Sequence, residues 1–464
     1  MNAAKKSAAP TQASSTVIEF LTTAGCHLCE QPLSWLERMT LQSSLQQPLQ
    51  LECVDIAEDD QLVEDYGTRI PVLRRQASEG WDELAWPFTL GDLRCWLEGV
   101  LPGGLESNWY EQPVKAISEI HAAAAKAHQE QLTKPSGSLG LLEEAVIALA
   151  GMQGTDRPAL DAVAITVFAG DHGVVQQGVS AFPQEVTPQM IGNFVHGGAA
   201  ISVLARQQNC RLSVLDTGTC VSPLGWPGVI DQAVGLGTAD FSEAPAMSQS
   251  QLDWCLAAGA AHIDQLLEDG PLQLFIAGEM GIGNTTTATA VSCALTDFAP
   301  ALMVGRGTGL DDDGLLRKQK IVEQALSVHK DALATPLDVL RFVGGFELAA
   351  MCGAVLRCAQ KGVPVLVDGF IVSSAVLCAV RLQPSVAEWL LWGHTSMEPG
   401  HRLIQQTLMA EHPSVRPLLD LNMRLGEASG AAVALPLLRL ACALHNEMHT
   451  FEEAGVAASS SAAG

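Results

Sequence analysis

The sequence predicts an α/β protein of two unequal units, and three observations carry that reading. Short apolar, β-branched runs alternate with longer helical patterns along nearly the whole chain, as strand–helix–strand units require. The clearest runs end at Gly or Asp, residues that turn a chain at the end of a strand. The segment LPGGLESNWYEQP, 101–113, breaks the alternation with Gly, Pro and polar residues, as a linker does. At 464 residues the length suits two or three domains, and 48% hydrophobic residues are enough for a sizeable core. The chain therefore divides into a disordered tail at 1–15, a small unit at 16–100, a linker at 101–113, a large unit at 114–450 and a second disordered tail at 451–464.

The small unit opens with the strand TVIEFL (16–21), followed by AGCHLCE and a helix from Pro32 to about Thr40. LQLECVDI (49–56) is a second strand and DDQLVEDYG a short helix; TRIPVL (68–73) and WDELAW give two more strands before the closing helix LGDLRCWLEGV. Cys26 and Cys29 lie where a strand turns into a helix. A helix N-terminus favours thiolate through its dipole and free N–H groups, so Cys26 is the expected attacking thiol and Cys29 the resolving one. Half a zinc site is the alternative, but no second Cys or His pair at ligand spacing follows in this unit. The element order resembles a glutaredoxin-like thioredoxin fold. That resemblance implies a cis proline facing the thiols, and Ile70-Pro71 is the match.

Net charge is −25, from 26 Lys and Arg against 51 Asp and Glu. Nucleic acid and anionic membranes need clustered cations, so neither is an expected partner. No signal peptide is visible, no apolar run is long enough to span a bilayer, and the 12 cysteines are scattered apart from Cys26 and Cys29. A reducing, cytoplasmic setting is expected.

In the large unit, AVAITVFAG (162–170), CRLSVLDTG (210–218), LQLFIAGEMG (272–281) and VPVLVDGF (363–370) are the clearest strands of a Rossmann-like parallel sheet accompanied by a helical subdomain. Ligands of such sheets sit beyond the carboxyl ends of the strands, and the motifs lie there. AGEMGIGNTTTATA (277–290) is a strand, a glycine turn and a Thr-rich helix start. Gly281 and Gly283 free the backbone to face an anion, and Asn284, Thr285 and Thr286 add side-chain donors. The loop lacks the Gly-Lys-Ser/Thr ending of a Walker A motif and fails the dinucleotide fingerprint, so a mononucleotide phosphate or ribose suits it. Glu279 before the turn is placed to hold a ribose hydroxyl or the incoming base.

VGRGTGLDDDG (304–314) is a second glycine loop, with Gly307 and Thr308 at its centre and Lys318 beyond it as a point charge for phosphate. Asp311, Asp312 and Asp313 resemble a magnesium site, but capping of the following helix is preferred. For Asp171-His172, within FAGDHGVVQQGVSAFPQEVT, a hydrogen-bonded turn with His172 packed is preferred over a metal or general base. KPSGSLGLLEE (134–144) is a lid or access segment, and Asp368 and Gly369 end a strand on the ligand side. In HTSMEPGHRL, Pro399-Gly400 is expected to break any helix aligning His394, Ser396, Glu398 and His401. LLDLNMRLGEASGAA (418–432) places Glu427 among Gly426, Ala428, Ser429 and Gly430. Such small neighbours let a ligand approach closely and leave this carboxylate as the strong base there.

In this order the motifs resemble the nicotinate-nucleotide:dimethylbenzimidazole phosphoribosyltransferase family over about residues 113–445. The small N-terminal unit is a departure from typical members. The resemblance implies transfer of 5-phosphoribose from nicotinate mononucleotide to 5,6-dimethylbenzimidazole, with inversion at the anomeric carbon, in cobalamin lower-ligand synthesis. It implies Glu427 as base, and Ser180 and Gln189 near the aromatic acceptor, with Phe182 and Met280 as walls of its slot. Phosphate contacts are expected from the two glycine loops and Lys318, with Arg424 beside Gly426 helping. No metal or cofactor is implied, and a homodimer is expected. Two rival readings are a metal-dependent phosphohydrolase using Asp171, His172 and the Asp311–Asp313 run, and a non-catalytic redox sensor that only binds a nucleotide.

Overall fold

The computed structural model describes residues 16–41, 49–78, 80–221, 225–296, 298–307, 309–414 and 416–457. Thr308, the N-terminal tail and the last seven residues lie outside these. The chain forms two compact units, one ending at Gly99 and the other starting at Val100.

The first unit runs β1 (Thr16–Thr22), α1 (His27–Leu41), β2 (Leu49–Asp55), α2 (Asp60–Tyr66), β3 (Val72–Gln76), β4 (Trp81–Ala85) and α3 (Leu90–Glu98). Its sheet has the order β2-β1-β3-β4, with β1 parallel to β2 and antiparallel to β3. Alternation along β1 sends Ile18 and Phe20 to one face, while Leu21 joins Ile56, Tyr66 and Val72 on the other. The helix after β1 starts at His27, five residues earlier than its apolar pattern suggests, and Pro32 lies inside it. Cys26 and Cys29 are joined by a disulfide, with Cys26 partly exposed and Cys29 buried. Ile70-Pro71 is cis. Val72 pairs with Leu21, so register brings Pro71 to the end of β1 from which the Cys26 loop departs.

The second unit begins with α4 (Glu119–Gln131), α5 (Leu141–Gln153), β5 (Val163–Gly170), α6 (Val186–Val195), α7 (Ala200–Gln207), β6 (Arg211–Gly218), β7 (Val229–Asp231) and α8 (Gln249–Glu268). It continues with β8 (Leu274–Met280), α9 (Asn284–Leu295), α10 (Pro300–Met303), α11 (Asp312–Val328), α12 (Pro336–Val343), α13 (Phe346–Lys361), β9 (Val365–Val367) and α14 (Phe370–Leu382). β10 (Leu390–His394), α15 (Pro399–Glu411), β11 (Pro417–Leu419), α16 (Ser429–Glu447) and α17 (Phe451–Ala454) complete it.

Among the described residues, seven strands form one sheet of order β11-β10-β9-β8-β5-β6-β7, and every pairing is parallel. β5 lies inside the sheet between β8 and β6 and is buried at every residue, which is why VAITVFAG reads as an apolar run broken only by Thr166. Helices cover the sheet, and α10, α11 and α12 pack on α9 to give the helical part. α8 and α13 make the most extensive helix contact. They approach through Gly259 and Gly353, where any Cβ would enter the backbone of the partner helix.

Two boundaries differ from the sequence reading. Residues 101–113 belong to the second unit rather than standing free. Trp109 is 1% exposed, and Gln360 Nε2 donates to the Trp109 and Gln112 carbonyls at 3.1 Å each. A Gly- and Pro-rich composition marks irregular backbone but does not say whether a neighbour fixes it. At the other end, residues expected in the tail form α17, capped by reciprocal hydrogen bonds between Thr450 and Glu453.

Candidate active site

The parallel register aligns Glu279 at the end of β8, Asp368 just after β9 and His394 at the end of β10. A cleft of about 550 Å³ opens there. Its floor comes from these strand ends, with Gly369 and the start of α14, Phe370 to Val372. One wall is the turn Met280–Ile282 and the start of α9, Asn284 and Thr285. Gly307, Ser396 and Glu398 form a second wall, and the run Met423–Glu427 a third; Phe182 reaches the rim.

Glu427 is 8% exposed, and its Oε2 has no hydrogen-bond partner among the described residues. Burial first, and the nearby Asp368 charge second, push its carboxyl up to about 7. Its backbone is equally constrained: Glu427 and Ala428 have φ of 60° and 68°. Left-handed backbone at two successive non-glycine residues persists only where the surroundings hold it, a feature that clusters at functional sites. A Cβ on Gly278 would lie 2.8 Å from Ala428 N, so β8 must be bare there for the loop to seat. Gly426 has φ 84°, and a Cβ on it would collide with Glu279 Oε1. On the far side, the Ala431 N–H of α16 donates to Asp368 Oδ1 at 2.8 Å, fixing the helix start on the end of β9.

Glu279 is a second buried carboxyl beside the first. Its Oε1 accepts the Glu427 N–H at 3.3 Å, and Asn284 Nδ2 bonds its Oε2. Burial drives its proton affinity far above the usual carboxylate range, and the Asp368 and Glu427 charges add to that. Two adjacent carboxyls in low dielectric do not both ionise readily.

The structure brings together Glu427, Glu279, Gly281, Asn284, Thr285, Gly307, Arg424 and Gly426 around the cleft. Other expected residues lie elsewhere. Lys318 is fully buried and does not line the cleft: its Nζ donates to Thr285 Oγ1 at 2.8 Å and to the Gly305 carbonyl at 3.2 Å. Desolvation lowers its ammonium pKa to about 8. Arg424 is the exposed cation that does line the cleft. Ser180 is partly exposed and does not line it; its hydroxyl donates to the Phe182 carbonyl and accepts the Phe182 N–H, shaping the turn that presents Phe182. Gln189 is exposed on α6, away from the cleft lining, and Thr286 is buried off it.

The 134–144 segment does not line the cleft. Pro399 does not break a helix but occupies the first position of α15, where its missing N–H costs nothing. Ser396 and Glu398 therefore face the cleft from the turn before that helix. Sequence reasoning missed Phe370–Val372, Met423 and Leu425 as lining residues. Their signal was position after a strand end or beside Glu427, which composition does not separate from core.

Asp311 accepts the Gly314 N–H at 2.8 Å and caps α11, and Asp312 pairs with Arg306. Both Asp171 oxygens are occupied, by Thr187 and by the Cys220 N–H. Asp171, Asp311 and Asp312, three of the residues that a metal-dependent hydrolase would use, thus have structural partners.

Comparison with known proteins agrees with this geometry. A phosphoribosyltransferase family profile matches residues 114–456, and a glutaredoxin-like domain profile matches residues 17–98. The nicotinate-nucleotide–dimethylbenzimidazole phosphoribosyltransferase of Pseudomonas syringae pv. syringae is 54% identical over 353 residues, covering 76% of this chain and 99% of the relative. The enzyme of the same name from Pseudomonas putida KT2440 is 53% identical over 349 residues, covering 75% and 98%. Among solved structures, that of the Thermus thermophilus enzyme of this name has a TM-score of 0.69 at 40% identity, covering 74% of this chain and 100% of that one. A strand-end cleft built around a buried carboxylate, on a chain that covers nearly the full length of such relatives, leads to one conclusion: the chain belongs to the nicotinate-nucleotide–dimethylbenzimidazole phosphoribosyltransferase family, with a glutaredoxin-like domain ahead of it.

Proposed function

We propose that the large unit transfers 5-phosphoribose from nicotinate mononucleotide to 5,6-dimethylbenzimidazole, releasing α-ribazole 5′-phosphate and nicotinate, with Glu427 as general base. The observation that carries this reading is Glu427 itself: a buried carboxylate with an unpartnered oxygen and a proton affinity near neutrality, facing the cleft. As one imidazole nitrogen of the benzimidazole attacks the anomeric carbon, Glu427 takes the proton from the other. The C–N bond to nicotinate breaks, and its electron pair returns to the pyridine nitrogen. Attack and departure occur on opposite faces of the ribose, so configuration inverts.

Glu279 is committed to the Glu427 N–H and to Asn284, whereas Glu427 keeps an unpartnered oxygen, which leaves Glu427 as the group that cycles. The glycine turn, the N-terminus of α9 and Arg424 supply N–H groups and charge for the 5′-phosphate. Met280 and Phe182 wall the slot for the flat acceptor, and Met423 and Leu425 extend it. Lys318 acts from behind the wall, through the Thr285 hydroxyl.

The first unit presents a partly exposed Cys26 at a helix start beside a buried Cys29, which suits a thiol–disulfide module. A homodimer in the cytoplasm belongs to the same proposal, and sedimentation of the purified chain tests the dimer. No helix among the described residues is long and apolar enough to cross a membrane. Mixing the protein with both substrates and measuring α-ribazole phosphate by mass tests the transfer.

A further inference from the structure

Asp171-His172 directly follows β5, yet neither side chain lines the cleft. Both are fully buried. Asp171 is tied to the glycine turn whose Gly281 and Ile282 form part of the cleft wall, and His172 to the helix α9 that leaves that turn. On one route the Ile282 N–H donates to Thr187 Oγ1 at 3.1 Å, and the Thr187 hydroxyl donates to Asp171 Oδ1 at 2.6 Å. Asp171 Oδ2 accepts the Cys220 N–H at 2.9 Å, so the carboxylate is itself anchored. On the other route His172 Nδ1 is hydrogen-bonded to the Thr287 hydroxyl on α9 at 2.9 Å, while His172 Nε2 lies 2.9 Å from Glu347 Oε1 without hydrogen-bond alignment, a close contact of imidazole and carboxylate. Glu347 is fully buried as well.

Glycines make room for this pair. A Cβ on Gly281 would fall 3.2 Å from His172 Nε2, and one on Gly283 would fall 3.3 Å from His172 Cβ. A Cβ on Gly345 would fall 2.5 Å from His172 Cε1, and one on Gly170 would fall 2.9 Å from Glu347 Oε2. Side-chain bulk is thus absent on several sides of one imidazole and one carboxylate. Burying such a pair costs several kcal/mol of desolvation, and apolar residues of similar volume often serve stability as well or better. A network that touches no ligand but grips the segment that does is the support a precise site requires. The grip extends to the acceptor side too. Gln184 Nε2 donates to the His172 carbonyl at 3.0 Å, and Gln184 and Thr187 lie just beyond Phe182 on the rim.

We propose that Asp171 and His172 are positioning residues of the transfer reaction: through Thr187 at the turn and Thr287 on α9, with Glu347 packed against His172, they lock the Gly281–Gly283 turn and the helix start after it in the orientation that receives the phosphoribosyl group. This rests on the proposed function above. Thr187 is the decisive position, because Thr187→Val removes the link without changing shape and Thr187→Ser retains it. Glu347→Gln tests the second route at constant volume.

Steady-state KM for each substrate and calorimetric binding of nicotinate mononucleotide are the readouts, on the full chain. Thr187→Val should raise KM and Kd for nicotinate mononucleotide about tenfold or more, because both buried hydrogen bonds of the Thr187 hydroxyl, from Ile282 and to Asp171, are lost, while KM for the benzimidazole changes by less than about twofold. Thr187→Ser should stay near wild type, and Glu347→Gln should shift the same constants in the same direction. A Thr187→Val protein that melts lower but keeps both KM values, or raises both equally, overturns the proposal. Should Glu347→Gln fail to fold, Thr187→Val still decides. A wild type that binds the mononucleotide but forms no product refutes the transfer reading, while calorimetry still decides the positioning role. A wild type that does not bind it refutes both.

Discussion

Replacing Glu427 by Gln should have two opposite effects. Gln keeps the shape of the side chain but cannot take a proton. The acceptor must then attack while still protonated or lose its proton to water, and losing a positioned general base lowers kcat by on the order of 10²–10⁴-fold. Stability should move the other way. The folded-state carboxyl is raised from 4.5 to about 7, so the native state holds the proton more tightly than the unfolded chain does. Stability from this group is full below about 4.5, falls as pH rises towards 7, and stays low above it. A shift of that size corresponds to an upper value of about 3 kcal/mol, so at pH 8 the variant should melt higher than wild type by a few degrees. Activity gives a third check. kcat/KM of the wild type should drop about tenfold per pH unit below 7 and level off above it, and the variant should lose that limb. The assay is a pH series of initial rates with thermal melts on the same samples. A variant with kcat within a few-fold of wild type, or one that melts lower at pH 8, would refute the reasoning.

Lys318→Ala should remove the partner of the Thr285 hydroxyl, weakening affinity for nicotinate mononucleotide far more than for free 5,6-dimethylbenzimidazole; equal losses in calorimetry would mean a general structural role. A protein starting at Val100 should fold and keep transferase activity, whereas one starting at Gln112 loses buried Trp109 and should melt lower; identical melts would show that Trp109 contributes nothing. In the reduced protein, Cys26 should alkylate at neutral pH well before Cys29 and buried Cys378; peptide mass showing Cys26 no faster than Cys378 would end the redox reading of the first unit.

Much of this molecule is legible in its sequence where one residue has one job. β5 and β8 show as largely apolar runs because both faces are covered, and Glu427 stands out because its neighbours are small. β7 and β11 do not show, since three residues at a sheet edge carry no periodicity and are defined only by their pairing partners. Lys318 reads as a phosphate ligand from its place after a glycine loop. One turn along a helix decides whether a lysine meets the cleft or its back wall, and that rotation depends on how α11 packs on α9. Pro399 illustrates the same point, since one proline can end a helix or begin one. Gly426 is legible as small, but only the position of Glu279 explains why nothing larger fits.

The central claim is that this cleft transfers phosphoribose with inversion to a benzimidazole nitrogen. Incubating the full chain with nicotinate mononucleotide and 5,6-dimethylbenzimidazole, then examining the product by mass and by the anomeric proton coupling in NMR, tests it most directly. The account predicts α-ribazole 5′-phosphate and equimolar nicotinate, formed by the wild type and nearly absent with Glu427→Gln. Release of ribose 5-phosphate without coupling, a β-configured product, or undiminished product from the Glu427→Gln protein would contradict it.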